Sequence, residues 1–389
     1  MKKNLFLLGS TGSIGQSTLK VVKNNKTKIQ ITLLTTNKNI KKLYNQAVTF
    51  NVKNVVIFDH IESSKYQQKF YRKNINVFYN LEDALKKIKK KADVTINAIS
   101  GIDGLKPTIQ IIKYSKMLAI ANKESIVCGW KFIKKELNKN NVNFIPLDSE
   151  HFSIWSLIKN ENNQNIKKIY LTASGGPFLN KKLSSIKNVK PKFALKHPNW
   201  KMGKKISIDS ATMMNKIFEV IEAKKIFNLN INKFDILIHP KSYIHAIVHF
   251  KKGLTKLLAH DTTMEIPILN VLCGENEKFN FKDKDLNLSK LNGKNFFKPN
   301  QRNFPLLKIL KYNFNDTFFE IILISINDYL VKSYINNRIS YISLHKQMIK
   351  LLKKPYFTKY YKISPKNINE IKSMVDKVNN YLKINKFID

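Results

Sequence analysis

The sequence predicts an α/β protein in three parts: a doubly wound domain over 1–147, a central α+β domain over 148–274 and a C-terminal α-helical domain over 302–389. Short β-branched runs alternate with helical stretches in the first part, which is typical of a parallel sheet with crossover helices. Motif-rich loops and a long helix follow, and helical periodicity dominates the last part. A polar, lysine-rich segment over 275–301 is predicted to be a linker.

Each predicted element rests on its own local pattern. The strands of the first part are the β-branched runs 5–8, 29–36, 55–58, 94–99, 117–121 and 144–147. In the central part we expect strands over 169–171, 236–238 and 244–250, and a helix over 211–227 that Ser210 opens. Ser364 as N-cap and Pro365 in the first turn are predicted to begin the last helix, whose apolar positions have helical spacing: Ile368, Ile371, Val375, Val378 and Leu382.

The formal net charge of +42 raises the question of a nucleic-acid partner. Only three of the 69 basic residues are arginine, the side chain favoured for phosphate and base recognition. The lysines are scattered and form no basic arm. We therefore expect no nucleic-acid partner, and a nucleic-acid-binding or scaffold protein is the alternative of a different class. The excess positive charge would instead attract anionic substrates.

Cysteine usage and hydropathy indicate the compartment. Cys128 and Cys273 cannot form a disulfide framework and lack the paired spacing of a metal site, so a reducing compartment is expected. The apolar run at 5–8 is too short for a signal peptide, and nowhere do about 18 apolar residues run uninterrupted, as a membrane-spanning helix requires. We expect a cytoplasmic protein with no membrane partner, in which Cys128 is a buried thiol.

The first predicted strand leads into the loop Gly9-Ser10-Thr11-Gly12-Ser13-Ile14-Gly15, which a helical stretch follows. Glycines at such a turn let the backbone approach a pyrophosphate at the helix N-terminus, as in Rossmann-like domains. The spacing is G-x-x-G-x-x-G instead of the commoner G-x-G-x-x-G, so the position of the loop strengthens the signal. Four residues are expected to contact a dinucleotide here: Thr11, Gly12, Ser13 and Ile14.

No acidic residue stands at the end of the second predicted strand. NAD enzymes place an acid there to bind the ribose 2′-hydroxyl, whereas a lysine suits the 2′-phosphate of NADPH. Lys38, with its neighbours Asn37 and Asn39, is therefore predicted to contact NADPH. A tight turn followed by a solvated lysine is the alternative.

Asp148 and Glu150 follow an apolar strand and are two residues apart, so we expect both side chains on one side of the strand end. Their oxygens could begin a Mg²⁺ or Mn²⁺ site. Taken alone, such a pair is more often a helix cap or a solvated turn. A metal site needs a third ligand.

The predicted helix over 211–227 offers that ligand. Its apolar face contains Met214, Ile217, Phe218 and Ile221, and its opposite face contains Thr212, Asn215, Lys216, Glu219 and Glu222. An amide, an ammonium and a carboxylate side by side suit phosphate and metal together. A polar face that is merely solvated is the alternative.

Two loops suit substrate binding. Ser174, Gly175 and Gly176 could form an anion-holding nest of backbone amides, with a structural turn as the equal alternative. The segment 197–204 carries Trp200 and resembles a loop that could close over a substrate and exclude water, unless Trp200 is an ordinary core residue. The lone histidines His239 and His245 are interpreted as core residues.

Taken together, these residues resemble the 1-deoxy-D-xylulose 5-phosphate reductoisomerase family. The resemblance lies in GSTGSIG, ANKES, LDSEH, TASGGPF and HPNWKMGKKISIDSATMMNK, in the order of the family and over roughly the first two-thirds of the chain. The sequence departs from the family pattern at Asn37, at 262–265 and at Ser325-Ile326-Asn327-Asp328, where the family has Ala-Ala-Asn-Glu. A homoserine-type dehydrogenase, the alternative within the NADPH oxidoreductases, would not explain a metal triad joined to a phosphate clamp.

The resemblance implies roles for individual residues. Lys123 would contact substrate, Asn122, Glu124 and Gly203 would contact NADPH, and Trp200 would lie on the flexible lid. One Mg²⁺ or Mn²⁺ ion would be held by Asp148, Glu150 and Glu219. The phosphate and hydroxyl groups of the substrate would be bound by Ser149, Ser174, His197, Ser210, Asn215 and Lys216.

The reaction that the resemblance implies rearranges 1-deoxy-D-xylulose 5-phosphate by retro-aldol cleavage and re-aldol addition, then reduces the resulting aldehyde with hydride from NADPH. The product is 2-C-methyl-D-erythritol 4-phosphate, an isoprenoid precursor of the non-mevalonate pathway. Lys123, Glu150 and a metal-bound water are open alternatives for the proton shuttle, with Lys123, Glu150 and His197 as the expected catalytic residues. A homodimer is expected from the family.

Overall fold

The computed structural model describes residues 2–59, 64–200, 202–273, 280, 288–292 and 295–385. The chain forms two compact units. The first contains Met1–Ser125, Lys131–Phe152 and Thr263–Leu286, and the second contains Ile126–Trp130, Ser153–Thr262 and Asn287–Asp389. Of the predicted linker over 275–301, only 280, 288–292 and 295–301 belong to the described residues. The predicted domain boundaries at 147, 274 and 301 stay predictions.

The sheet of the first unit is parallel. Its strands are β1 (Lys3–Leu8), β2 (Ile29–Thr36), β3 (Asn54–Ile57), β4 (Asn76–Phe78), β5 (Val94–Asn97), β6 (Met117–Ile120) and β7 (Asn143–Pro146). As far as the structure describes the chain, the sheet has seven strands in the order β4-β3-β2-β1-β5-β6-β7. The order reverses between β1 and β5, the kind of position where open α/β sheets bind ligands.

The predicted doubly wound fold is confirmed, and all six predicted strands are present within a few residues. β4 was missed because three residues are too few to show a period. The early helices are α1 (Ser13–Asn24), α2 (Ile40–Thr49), α3 (Ser64–Tyr71), α4 (Leu81–Ile88), α5 (Leu105–Ile112), α6 (Lys123–Asn140) and α7 (Ser149–Ile158). Six of the seven sheet strands have at least two buried residues, which explains their continuous apolar runs.

The second unit contains a mixed sheet. Its strands are β8 (Ile166–Ala173), β9 (Phe234–Ile238), β10 (Ile244–Phe250) and β11 (Thr255–Ala259), in the order β11-β10-β8-β9. β8 and β9 are parallel, and the other neighbours are antiparallel. The later helices are α8 (Pro191–Ala194), α9 (Lys204–Ala211), α10 (Met214–Phe227), α11 (Glu265–Leu272, in the first unit), α12 (Phe318–Ile335), α13 (Tyr341–Leu352), α14 (Pro355–Thr358) and α15 (Ile368–Ile384). Within the described residues, no helix combines the length and hydropathy needed to cross a membrane.

The helix predicted over 211–227 is present as α10 (Met214–Phe227), so only its predicted start is wrong, by three residues. Met213 adopts φ +65°, a left-handed conformation that interrupts the helix between α9 and α10. Ser210 therefore lies in the last turn of α9 and opens no helix. Apolar periodicity continues through the break, which is why the sequence pattern did not reveal it.

The start predicted for the last helix is also wrong. Ser364 and Pro365 precede α15, and its N-cap is Asn367, whose side chain accepts a hydrogen bond from the Glu370 amide at 3.0 Å. Asparagine is among the strongest N-cap residues, and an acid in the first turn favours the same start. The apolar stripe is confirmed at Ile371, Val378 and Leu382, which are buried together with Met374.

A buried ion-pair network ties α10 to the start of α12. The Nζ atom of Lys225 lies 2.6 Å from Asp316 Oδ1 and 3.2 Å from Glu320 Oε1, and it also donates to the Val127 carbonyl at 2.8 Å. Burial alone would lower the pKa of Lys225, but the carboxylates of Glu320 and Asp316 raise it. Glu320 completes a capping box with Thr317. The network therefore fixes the end of the helix that carries several predicted site residues.

His345 on α13 gives the fold a sensitivity to acid. Burial lowers its pKa to about 4, and neither ring nitrogen has a hydrogen-bond partner among the described residues. The unfolded chain accepts a proton near pH 6.5 that the folded chain excludes, so stability falls as pH drops from about 6.5 to about 4. The full loss is about 3 kcal/mol.

We expect His345→Leu to show a smaller loss of stability between pH 7.5 and pH 5 than the parent chain, measured by urea unfolding. His249, which is partly exposed and bonds Thr255 at 2.9 Å, provides the matched control. His249→Leu should retain the pH dependence of the parent. The same pH dependence in His345→Leu as in the parent would contradict the assignment to His345.

Candidate active site

The loop between β1 and α1 requires glycine at two positions. Gly9 adopts φ +74°, and a Cβ there would lie 2.7 Å from the Ala98 carbonyl oxygen. A Cβ at Gly15 would lie 2.5 Å from the Gly9 carbonyl oxygen. Both distances are too short for any side chain, so the glycines allow the loop to lie against β5 and α1. This is the close backbone approach that the sequence pattern predicts.

The N-terminus of α1 suits an anion. Gly12 is its N-cap and supplies no side-chain cap, and the helix begins with Ser13 and Ile14. First-turn amides of a helix lack partners within the helix, and the helix dipole favours negative charge there. The Thr11 hydroxyl lies 2.8 Å from the Thr36 hydroxyl, which ties the loop to the end of β2.

The segment after β2 is exposed at all three predicted positions, Asn37, Lys38 and Asn39. Lys38 Nζ lies 3.8 Å from Asp59 Oδ2. This acid follows β3, so the pattern at the end of the second strand does not reveal it. An exposed pair of this kind contributes about 0–1 kcal/mol, so a phosphate could displace it. Asn39 caps α2 by accepting a hydrogen bond from the Lys42 amide, which is a structural role.

Asn122 and Lys123 lie at the start of α6. The Asn122 side chain caps the helix by accepting a hydrogen bond from the Ser125 amide at 2.8 Å. Lys123 is only 8% exposed, and its ammonium group donates a hydrogen bond to the Asp148 carboxylate. Glu124 follows in the first turn and is half-buried. The structure thus brings Lys123 into contact with a predicted metal ligand 25 residues away.

Asp148 and Glu150 lie where β7 gives way to α7. Glu150 is in the first turn of the helix and not on the strand. A carboxylate oxygen of Asp148 nevertheless lies within 4.8 Å of one of Glu150, so the expectation that both side chains point to one side is confirmed. Asp148 accepts a hydrogen bond from the Glu150 backbone amide at 3.3 Å. This is a helix-cap contact, the alternative to a metal site that the sequence left open. The Ser149 hydroxyl donates to Glu150 at 2.5 Å. His151, which the sequence reasoning missed, is fully buried with Nδ1 3.5 Å from Asp148 Oδ1.

Ser174 begins the glycine turn after β8. Gly175 and Gly176 adopt φ +83° and +70°, and the Gly176 amide donates to Ser174 Oγ at 3.0 Å. These features form a structural turn, which the sequence left open as the alternative to an anion-holding nest. His197 adds a second polar group, because its Nε2 lies 3.0 Å from Ser174 Oγ. The structure brings these two predicted substrate ligands into contact.

The hydrogen bonds of His197 select its tautomer. Its Nδ1 accepts from the backbone amides of Asn199 at 3.2 Å and Trp200 at 3.0 Å. A neutral imidazole that accepts at Nδ1 carries its proton at Nε2. Nε2 therefore donates to Ser174 Oγ in the neutral ring.

Asn199 anchors the loop that contains Trp200 to the residues after β9. Asn199 Nδ2 donates to the Pro240 carbonyl at 2.6 Å and lies 3.0 Å from Ser242 Oγ. Trp200 is half-buried, with its ring centroid 6.0 Å from that of His245, so it is not an ordinary core tryptophan. Lys201 lies outside the described residues. Exposed Gly203 is the N-cap of α9, and a Cβ there would meet nothing within 4 Å.

The polar face of α10 is buried. Glu219 is 0% exposed and accepts hydrogen bonds from the side-chain amide of Asn215 and the ammonium group of Lys216. The solvated-face alternative is wrong, because Glu222 is also fully buried. Buried charges are costly unless paired, and the Lys216–Glu219 pair meets that requirement. Ser210 lies half-buried in the last turn of α9.

The predicted core histidines, His239 and His245, are buried as expected. His245 stacks on His260 with ring centroids 3.7 Å apart, and His239 stacks on Phe296 at 4.9 Å. Cys128 is also buried. The interpretation of these residues as core residues is confirmed.

Three family models match successive parts of the chain. The model described as 1-deoxy-D-xylulose 5-phosphate reductoisomerase matches residues 5–129. The model of the 1-deoxy-D-xylulose 5-phosphate reductoisomerase C-terminal domain matches residues 144–227. A third, described as the DXP reductoisomerase C-terminal domain, matches residues 260–381. The matches extend beyond the segment in which the sequence motifs were recognised.

Similar proteins carry the same description. A 1-deoxy-D-xylulose 5-phosphate reductoisomerase from Pelagibacter ubique is 51% identical over 97% of both chains, and one from Sulfurihydrogenibium sp. is 36% identical over 96% of both. The solved enzyme from Zymomonas mobilis in complex with NADPH has a TM-score of 0.86 and 29% identity over 98% of both chains. A DOX-P reductoisomerase solved with NADPH, fosmidomycin and magnesium has a TM-score of 0.90 and 28% identity over 100% of both.

Proposed function

Because the chain belongs to the 1-deoxy-D-xylulose 5-phosphate reductoisomerase family, we propose that the residues described above form one active site for NADPH, a divalent cation and a sugar phosphate. The protein is an NADPH- and divalent-metal-dependent enzyme that converts 1-deoxy-D-xylulose 5-phosphate to 2-C-methyl-D-erythritol 4-phosphate. The assignment of individual residues to this reaction is our proposal. The observation that supports this function most directly is the 51% identity to the Pelagibacter ubique enzyme over 97% of the chain.

Asp148, Glu150 and Glu219 would hold the cation. All three donors are carboxylates, the ligand type that suits Mg²⁺ or Mn²⁺. Asp148 and Glu219 are each already bonded to an ammonium group, from Lys123 and Lys216, so their environments provide positive charge to balance buried anions. A matching solved structure contains magnesium, and manganese is the second metal that the donor set would accept.

NADPH would lie along the carboxyl edge of the first sheet. The uncapped N-terminus of α1 suits its pyrophosphate, with contacts from Thr11, Gly12, Ser13 and Ile14. Lys38, between Asn37 and Asn39, would bind the 2′-phosphate. Asn122, Glu124 and Gly203 would contribute the remaining contacts.

The substrate phosphate would be bound in the second unit. The Ser174 hydroxyl, the His197 Nε2 proton and the Lys216 ammonium group are donors suited to an anion. Ser149, Ser210 and Asn215 would bind the remaining phosphate and hydroxyl oxygens. Trp200 on the 197–204 loop would cover the substrate and exclude water.

When bound, NADPH supplies the hydride, and the cation supplies an electrophile for the ketone and hydroxyl oxygens of the substrate. The Lys123 ammonium group provides a further positive charge beside Asp148, where it stabilises negative charge on substrate oxygen. Lys123 Nζ or a Glu150 carboxylate oxygen would carry the proton that the rearrangement moves. His197 orients the phosphate end of the substrate through a fixed tautomer.

The setting of the enzyme is a further part of the proposal. We expect a homodimer in the cytoplasm, without a nucleic-acid or membrane partner, that serves the non-mevalonate synthesis of isoprenoid precursors. The family resemblance supports the dimer and the pathway. The scarcity of arginine among 69 basic residues supports the absence of a nucleic-acid partner.

The experiment that tests the function follows NADPH oxidation by its near-ultraviolet absorbance. The purified chain is given 1-deoxy-D-xylulose 5-phosphate with Mg²⁺ or Mn²⁺, and then EDTA. We expect metal-dependent oxidation that stops with EDTA and yields 2-C-methyl-D-erythritol 4-phosphate. NADPH binding without turnover would contradict the activity, and salt-dependent DNA binding without NADPH binding would favour the nucleic-acid alternative.

His197→Ala is expected to raise the substrate KM about tenfold with a smaller change in kcat, because the variant loses a hydrogen bond to bound substrate. Steady-state kinetics at saturating NADPH and metal measure the effect. His249→Ala is the matched control, since His249 is partly exposed on β10 and bonds Thr255, which lies outside the proposed site. An unaltered KM in His197→Ala would remove this role.

A further inference from the structure

The segment Ser325-Ile326-Asn327-Asp328 on α12 has no part in the proposed chemistry, yet its asparagine is unusually placed. Asn327 is 1% exposed and is surrounded in sequence by buried apolar residues, including Ile324 and Ile326. A buried amide is costly unless it is hydrogen-bonded. The Asn327 side chain therefore requires a partner within the second unit.

That partner is Asp209 on α9. Asn327 Nδ2 donates to Asp209 Oδ1 at 2.8 Å, and the carboxylate is only 3% exposed. Lys205 Nζ lies 3.7 Å from Asp209 Oδ2 and 2.9 Å from Asp328 Oδ1. Asn327 therefore contacts Asp209, and the next residue of α12, Asp328, contacts Lys205. The four side chains form a network that we call the α9–α12 clamp.

The clamp lies beside a predicted substrate ligand. Asp209 immediately precedes Ser210, and the next residue, Ala211, accepts a hydrogen bond from the Tyr341 hydroxyl at 2.8 Å. A Cβ at Gly176 would lie 3.2 Å from the Ser210 carbonyl oxygen and 3.1 Å from Ala211 Cα. The last turn of α9 is therefore held between the Ser174–Gly176 turn on one side and α12 and α13 on the other.

We propose that Asn327 and Asp209 are positioning residues for the sugar-phosphate subsite: their hydrogen bond sets where Ser210 stands relative to Ser174. Both side chains are at most 3% exposed, so neither is assigned a contact with the substrate. The α9–α10 break at Met213 follows within four residues of Asp209, so the clamp also sets where the helix that carries Asn215 and Lys216 begins. This inference rests on the proposed function, since it assigns the phosphate to these residues.

The test replaces the side-chain amide of Asn327 with an apolar group of similar size. Asn327→Leu is expected to raise the KM for 1-deoxy-D-xylulose 5-phosphate about tenfold, because a hydrogen bond to a charged group is lost, with kcat changed less than about threefold and the NADPH Kd unchanged. Val331→Ala, on the same helix and 2% exposed, is the control for lost packing. It should lower the melting temperature and leave KM unchanged.

An exchange of the pair provides rescue. Asn327→Asp alone places two carboxylates together and should raise KM by at least as much as Asn327→Leu. Combining it with Asp209→Asn restores the hydrogen bond in reverse, so KM should return to within about threefold of the parent. This double variant also decides the matter if Asn327→Leu does not fold.

A parental KM in Asn327→Leu would overturn the proposal, and so would the same KM increase in Val331→Ala. Failure of the exchanged pair to restore KM would overturn it as well. The parent chain in the same assay keeps the proposed function separate. If the parent shows no turnover, the function fails, and the Kd of inorganic phosphate from calorimetry replaces KM in the comparison of the variants.

Discussion

Glu219→Gln is expected to lower kcat by at least about a hundredfold while the NADPH Kd stays unchanged. Glu219 is fully buried and bonded to both Asn215 and Lys216, so glutamine keeps the volume but removes the charge. A neutral amide is a poor ligand for Mg²⁺ or Mn²⁺. The loss of a preorganised electrostatic group at a reacting centre costs about 10²–10³ in kcat. Kinetics over a range of metal concentrations measure the effect.

The control for Glu219→Gln is Glu161→Gln in the same unit. Glu161 also pairs with a lysine, Lys256, at 2.6 Å, but the pair is partly exposed. Its loss should change neither kcat nor the metal dependence. Parental activity of Glu219→Gln at limiting metal would exclude Glu219 as a metal ligand.

Lys123→Met should lower kcat by about 10²–10³ even at saturating metal. The variant removes a buried ammonium group that is bonded to Asp148. If Lys123 acted only by holding Asp148, a higher metal concentration would restore turnover, since the metal would then neutralise the carboxylate. A direct role in stabilising or protonating substrate oxygen leaves kcat low at every metal concentration.

Lys116→Met is the matched control for Lys123→Met. Lys116 pairs with Asp93 at 2.8 Å in the same unit, but it is mostly exposed. We expect parental kinetics from this variant. Lys123→Arg should not recover turnover, because the guanidinium fork differs in shape from an ammonium group and does not release its proton. Restoration of kcat by metal or by arginine would contradict the direct role of Lys123.

Local patterns predicted six of the seven described strands of the first sheet, because each of those six shows its own signal. β-branched runs are visible within four to eight residues, and the buried parallel sheet makes those runs continuously apolar. The glycine loop was equally visible, since Gly9 has a backbone conformation that only glycine adopts easily. Predictions of helix starts were weaker. Met213 interrupts a continuous apolar pattern, and Asn367 competed with Ser364 as an N-cap.

The sequence by itself determined the family, the fold class and the candidate residues, because short motifs and strand or helix periods are local properties. Tertiary structure alone decided which of those residues meet. It brought Lys123 to Asp148, 25 residues away, and Asn327 to Asp209, 118 residues away. It also buried the polar face of α10. Such contacts depend on how distant segments pack, and a buried charge finds its partner only once water is excluded.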